Sequence, residues 1–532
     1  MREKSRREFL RLMGAGGMKL AAASVGFTAF MNQSWAGHHC EAGSWGGLAG
    51  NVGGWTCDNH AGYKILEIYL NLGVSQWENF WLPGAGNPNF TDYGMGSLAA
   101  FSDLDWGANS GDFPCGLPDI PNSFDDSQLF AAQTGGGDIY WGAATKPIYR
   151  RNDIFSRCRM VTQYHKLMPH QAANPYVLTG LPLGNPRRSG TGAAIQRRAR
   201  VVEPNQILPV SYVFHRNDVV QPHMSAVAIG THPGFSRPLD IRIQDNNSFV
   251  NSLARTGISP ESDDLLLALR HEYRDRLRFR GAGDPVRSTG FQGYWIAAEL
   301  LKNAPDLQAL FAGDMLVRDT NVATCPDHPT VTETNIPGIK TMLHAAAALL
   351  SSGPARYACA IDSGITTIPG LSQAGYDTHG DGTSLHLLNT NANIYNVMHH
   401  VAELVHDPVA NPAGLIDLDD TMIIINTDFN RTPNINGNNG RDHWPYGYLT
   451  WMIGGPINGG PSIRGRIDNA GYTETNYRYS ATDMRAAILL AAGVDPFADG
   501  NFRVSDFSPA LMSGIGTEGQ IRDRLKGDIL GV

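Results

Sequence analysis

Three short runs constrain this chain most: YKILEIYLNLG (Tyr63–Gly73), YACAIDSG (Tyr357–Gly364) and TMIIIN (Thr421–Asn426). Each is apolar, and the first and third are rich in β-branched residues. The first two stop at glycine, so all three read as buried core strands. LPVSYVF (Leu208–Phe214) and YLTWMIGG (Tyr448–Gly455) are further strand candidates. Between them lie helical patterns. Residues 262–280 open on a good cap, and Pro337–Gly353 is stopped by glycine. The segment after GYDTHG sets Leu387, Ile394, Val397, Val401 and Leu404 on one helical face. ATDMRAAILLAAG is a capped helix ending at glycine. Strands alternating with helices predict an α/β chain, a three-layer sandwich with a large, mainly parallel sheet between helices and loop-rich insertions.

In such sheets ligands bind beyond the carboxyl ends of the strands. Polar clusters follow three of the strands there: SQWEN after the first, GYDTHG after Tyr357–Ile361, and TDFNRTP with GRDHWP after Thr421–Asn426. Grouped carboxylates and imidazoles suit a divalent metal, with Zn, Mg, Mn or Ca as the choices. Asp377 and His379 stand two apart, so an extended segment points both the same way. Asp442 and His443 are adjacent and need a turn to converge, while Asp428 leaves its strand directly. Each has a plainer reading. Asp428 can cap a turn, Asp377 and His379 can form an Asx-turn with a hydrogen-bonded imidazole, and Asp442 can pair with Arg441 or Arg431. Three such clusters at one end of one sheet favour a site.

The chain has 532 residues and 42% hydrophobic composition, enough for a large core. A net charge of −8 gives no basic footprint, which argues against nucleic acid as a partner. No GxGxxG follows the first strand, which argues against a dinucleotide. The six cysteines include no CxxC pair, so a zinc ribbon is not expected; Cys40 and Cys57 flank a Gly-rich segment and are the favoured disulfide pair. Arg6 and Arg7 precede a weakly apolar Ala/Gly-rich stretch with small residues Ser34 and Ala36 at its end. That pattern resembles a twin-arginine signal over residues 1–36, which implies passage through the Tat translocon in folded form and a periplasmic or extracellular destination. Lys19 and Thr28 interrupt the stretch, so no membrane span is expected in the mature chain. An irregular segment (37–62) precedes one large domain (63–532), with an elaborated surface insertion near 84–150.

The signal together with NLGVSQWENFWLPG, HQAANPYVLTG, GYDTHG, TDFNRTP, NGRDHWPY and GGPINGG resembles the Tat-exported family called domain of unknown function 1501, from about Tyr63 to the C-terminus. That family is similar to the alkaline phosphatase/sulfatase superfamily. The resemblance implies a large parallel sheet between helices, one or two metals at the strand ends, and hydrolysis of phosphate or sulfate esters, including esters on glycans. It implies metal ligands at Glu78, Asp377, His379, Asp428, Asp442 and His443. Leu178-Thr179-Gly180 matches the end of the sulfatase signature, but His170 stands where sulfatases carry their cysteine nucleophile and Asn174 where they carry arginine. Formylglycine chemistry is therefore not available. Thr162 or His170 is left as nucleophile, or direct attack by an activated water, with His170 alternatively a ligand. Arg431 or Arg441 is the candidate grip for the anionic group. A rival reading makes the chain a catalytically degenerate surface or carbohydrate-binding protein, with Trp77, Trp81, Trp106 and Trp141 as sugar platforms.

Overall fold

The computed structural model describes residues 62–83, 127–185, 189–202, 208–215 and 238–243, parts of 259–272, 304–311, 339–364, 375–379, and 383 to the C-terminus apart from 439 and 499–500. The signal segment, most of 37–62, residues 84–126, Trp106 and most of the helix expected over 262–280 lie outside them, as do Cys40, Cys57, Cys115 and Cys325. Cys158 and Cys359 are buried free thiols.

Thirteen strands are described. They are β1 (Lys64–Leu70), β2 (Leu82–Pro83), β3 (Gln128–Ala132), β4 (Asp138–Trp141), β5 (Cys158–Gln163), β6 (Ser211–His215), β7 (Leu239–Arg242), β8 (Tyr357–Asp362), β9 (Thr421–Thr427), β10 (Asn430–Arg431), β11 (His443–Trp444), β12 (Tyr448–Gly454) and β13 (Ser462–Arg464). Eight form one sheet in the order β13-β5-β12-β9-β1-β8-β6-β7. Its neighbours pair in parallel except that β12 runs against both β9 and β5. The protein is thus an α/β fold with a large, mostly parallel mixed sheet packed against helices.

The central strands carry side chains into both layers. From β1, Leu66, Ile68 and Leu70 enter one apolar cluster with the helix Ile339–Ser351 and the later turns of the helix Thr383–Leu404. Ile65 and Tyr69 enter the opposite cluster with the helices His170–Thr179, Thr191–Val202 and Ala481–Ala491. Glu67 lies between Ile65 and Tyr69 on that second face and would cost the core heavily if left unpaired. Arg485 grips it with two bonds of 2.6 and 2.7 Å, and the Tyr357 hydroxyl donates to it at 2.7 Å.

Residues 128–141, expected as surface elaboration, instead form β3 and β4 of a small sheet with β2, and Phe130, Ile139 and Trp141 fill the core. Trp77, Trp81 and Trp141 are all buried, so none is an exposed platform for a sugar. Among the described residues no helix is long and apolar enough to cross a membrane.

Register sets the position of the site. Leu70 pairs with Asp362 of β8 on one side and with Thr427 of β9 on the other. The three strands therefore end level, and the loops carrying Glu78, Asp377 and Asp428 leave the sheet at one height.

Candidate metal centre

Four elements meet above that edge. The His170–Thr179 helix begins with His170 and is closed by Gly180 in the left-handed conformation (φ 75°). The loop after β8 brings Asp377 and His379. Asp428 follows β9, and the β10–β11 ribbon pairs Arg431 with His443. The ribbon is what folds the adjacent Asp442 and His443 back over the sheet.

Three imidazoles and one carboxylate converge. Asp377 Oδ1 stands 3.1 Å from His379 Nε2, 3.8 Å from His170 Nε2 and 4.0 Å from His443 Nε2. His379 Nε2 and His443 Nε2 are 2.8 Å apart. Each imidazole is anchored through its other nitrogen: His170 Nδ1 to the Asp428 carboxylate, His379 Nδ1 to Asp442 Oδ1 at 3.1 Å, and His443 Nδ1 to the Met168 carbonyl at 2.8 Å. Those acceptors place a proton on each Nδ1 and turn each Nε2 toward Asp377. This is how outer partners orient histidines around a metal. Two facing Nε2 lone pairs at 2.8 Å repel unless a proton or a cation lies between them. His170 Nε2 is buried and has no hydrogen-bond partner among the described residues, since 3.8 Å is beyond hydrogen-bonding range. Ligand atoms about 2.0–2.1 Å from a tetrahedral ion are roughly 3.3 Å apart, close to the separations seen here. His170, Asp377 and His443 each offer a ligand atom within 4.8 Å of the others, and His379 Nε2, which also lies 3.1 Å from Arg431 Nη1, adjoins Asp377 and His443; these residues fit a divalent cation, and a nitrogen-rich donor set favours zinc over magnesium or calcium.

Charge is arranged to match. Burial opposes a charge on His170, but the Asp428 and Asp377 carboxylates outweigh it and push its pKa up to about 9. Burial would raise Asp377; the neighbouring His170, His379 and Arg431 hold it well below the usual carboxylate range. Burial and then the positive charge of Arg431 lower His443 to about 4, so it stays neutral. The two carboxylates thus keep a proton on His170, whose place an ion would take.

Packing fixes the group from below. The buried Phe429 ring stacks on His170 at 4.7 Å and lies 4.5 Å from His443. A Cβ on Gly73 would stand 2.6 Å from that ring, and Gly73 itself has φ 72°, so only glycine suits the position. Leu72 beside it also has positive φ, uncommon for leucine. Arg431 secures this turn, donating to the Leu72 carbonyl and to the Gly73 carbonyl (2.6 Å) while also holding Asp377 at 2.7 Å.

The remaining expected residues lie elsewhere or act through others. Asp428 and Asp442 back His170 and His379 and do not line the point where the Nε2 atoms meet. Glu78 is wholly buried one layer further in. It accepts from Arg441 Nε at 2.9 Å and from Ser75, and it pairs with His386 Nε2 at 2.8 Å. The charges of Arg441 and His386 outweigh burial and lower Glu78 to about 2. His386 Nδ1 bonds Thr378 Oγ1 at 2.6 Å, and the Arg441 amide donates to the Thr378 carbonyl at 3.0 Å. Glu78 and Arg441 therefore brace the two ligand loops against each other. Neither arginine presents a fork to an anion: both are buried, and every N–H group of Arg431 has a partner. Thr162 lies on β5, where its hydroxyl donates to the Tyr477 carbonyl at 3.2 Å, with no contact to the imidazoles.

Sequence reading missed His386 and His165. The His165 ring bonds the Asp428 carbonyl at 2.7 Å and is lowered to about 4 by burial. Nothing in the spacing of either marks it out.

Fold and site together define an α/β protein with a histidine–aspartate centre at the carboxyl edge of a mostly parallel sheet. The chain belongs to the family described as protein of unknown function (DUF1501), whose model matches residues 127–499. No curated protein matches it.

Proposed function

We propose that the chain is an exported, metal-dependent hydrolase of phosphate or sulfate esters, related to the alkaline phosphatase/sulfatase superfamily. The single observation that supports this most is the convergence of His170, His379 and His443 Nε2 on Asp377, each imidazole anchored behind by its own acceptor. His170, Asp377, His379 and His443 would hold the ion. A divalent cation there supplies Lewis acidity to an ester oxygen and acidifies a water.

The protein's own groups prepare that chemistry. Asp428 and Asp442 fix the ring orientations. His170, His379 and Arg431 together keep Asp377 ionised, and Arg431 holds the turn at Leu72–Gly73. The side chains of His379 and Asp377 are 40% and 36% exposed, which leaves the solvent face of the centre open to a substrate. Because Thr162 is engaged elsewhere, this reading favours attack by water over a threonine nucleophile. With both arginines turned inward, neither presents a guanidinium fork to the ester's negative charge, which a bound cation would have to meet.

The test is metal analysis of protein folded in the cell, joined to turnover on aryl phosphates and aryl sulfates. Bound metal with turnover that Asp377→Ala abolishes supports the reading. A folded, metal-free, inert protein, or turnover untouched by that change, overturns it.

A further inference from the structure

A second group of ligating side chains lies far from this centre. His399, His400 and Glu403 occupy the last turns of the helix Thr383–Leu404. His399 Nε2 is 3.1 Å from Glu403 Oε1, and His400 Nδ1 is 2.8 Å from Glu403 Oε2, so the two imidazoles flank one carboxylate. One ligand atom from each of the three lies within 4.8 Å of the others. His386, in the network that braces the first centre, is thirteen residues earlier on the same helix. At 1.5 Å rise per residue that is roughly 20 Å along the axis. The helix starts at the carboxyl edge of the sheet and ends at the opposite edge, just before the turns that lead into β9.

We propose that His399, His400 and Glu403 form a second divalent-cation site, one that takes a nitrogen-preferring ion such as zinc. Spacing explains how. Residues four apart lie on one face of a helix, which puts His399 and Glu403 together. His400 approaches the same carboxylate from the next position.

The rings are already ordered. Tyr395 stacks on His399 with planes only 6° apart, and His400 is largely buried. His399 meets one carboxylate oxygen and His400 the other, so an ion would sit among ligand atoms that already lie within 4.8 Å of one another. Glu403 is 44% exposed and His399 23%, so an ion can enter from solvent. A carboxylate one residue before the end of a helix also sits against the negative end of the helix dipole, a position that a cation relieves. His344, on the helix Ile339–Ser351, is close enough for its charge to act on His400. An ion here would staple the end of one helix beside its neighbour. Two nitrogens and one carboxylate disfavour magnesium and calcium, which prefer all-oxygen shells.

The experiment uses the untagged full-length chain, stripped with chelator and titrated with zinc by calorimetry and with cobalt by visible absorption. The wild type should take up about two equivalents. His399→Ala/Glu403→Gln should take up about one and keep ester turnover, while His443→Ala should keep the equivalent that the double variant loses. If the first centre binds nothing, the wild type takes up about one equivalent, lost in the double variant and kept in His443→Ala. That outcome would refute the hydrolase reading and leave this site standing. Unfolding temperature in chelator checks that the variants fold, and the partly exposed His399→Ala alone serves if the pair does not. Equal zinc uptake by the wild type and the folded variant overturns the proposal.

Discussion

Replacing Asp428 by asparagine tests the centre without touching any ligand atom. The Asp428 carboxylate is fully buried and accepts from His170 Nδ1, with the Thr427 hydroxyl a further 3.3 Å away. Asparagine keeps the shape and one acceptor oxygen but removes the charge. Loss of such an outer partner costs about 10–100-fold in metal affinity. This carboxylate is fully buried, so the expected loss is in the upper part of that range, about 1.9–2.7 kcal/mol. Asp442→Asn provides the contrast. It removes the same kind of support from His379, but its side chain is 56% exposed and solvent screens it. Its effect should be several-fold at most. Zinc affinity is read by competition with a chromophoric chelator at fixed pH, on chains whose fold is checked by circular dichroism. The reasoning fails if Asp428→Asn binds zinc as the wild type does, or if Asp442→Asn is the more damaging change.

Other outcomes follow from the same contacts. Glu78→Ala leaves Arg441 and His386 buried without their carboxylate and should cost about 3–5 kcal/mol in denaturant unfolding, with metal affinity falling in the same variant; unchanged stability would remove the bracing role. Chelator should lower the unfolding temperature of metal-loaded protein, because an ion at about 100 times its Kd stabilises by about 2.7 kcal/mol; an unmoved melting curve would argue that no ion contributes to the fold. Burial raises Asp483 to about 6 even though it accepts backbone N–H groups of Ser480 and Ser508. Its folded value lies above the unfolded one, so its contribution is fully present below about pH 4 and lost as pH rises to about 6. The loss is on the order of 3 kcal/mol. Stability of Asp483→Asn relative to wild type should therefore improve across that window, and a flat difference would refute the assignment.

How much of this the sequence discloses follows from how local each feature is. β1, β8 and β9 are buried on both faces, and their composition shows it without any partner being known. The helix Ala481–Ala491 announces itself through Ser480, which with Asp483 makes a reciprocal cap. The direction of β12 is not local. YLTWMIG reads as the same apolar strand either way, and it runs backward because the excursion from Asp428 to Gly447 returns as the β10–β11 ribbon. β5 does not read as an apolar strand, since Arg159 lies within it and is satisfied by the Ile529 and Asp528 carbonyls, 370 and 369 residues later. The site divides in the same way. Asp377, His379 and His443 are legible because side chains of their type follow strands that end level. Which side chains a carboxylate there meets is not legible, because they arrive from the rest of the chain. Glu78 meets Arg441 across 363 positions and becomes a brace, whereas Asp377 meets Arg431 and three imidazoles and becomes the focus. The spacing His399-His400-x-x-Glu403 is readable from the start, and its weight comes from the fold. Only the fold puts those side chains roughly 20 Å along the helix from His386, near the opposite edge of the sheet, where an ion would bear on stability and not on ester chemistry.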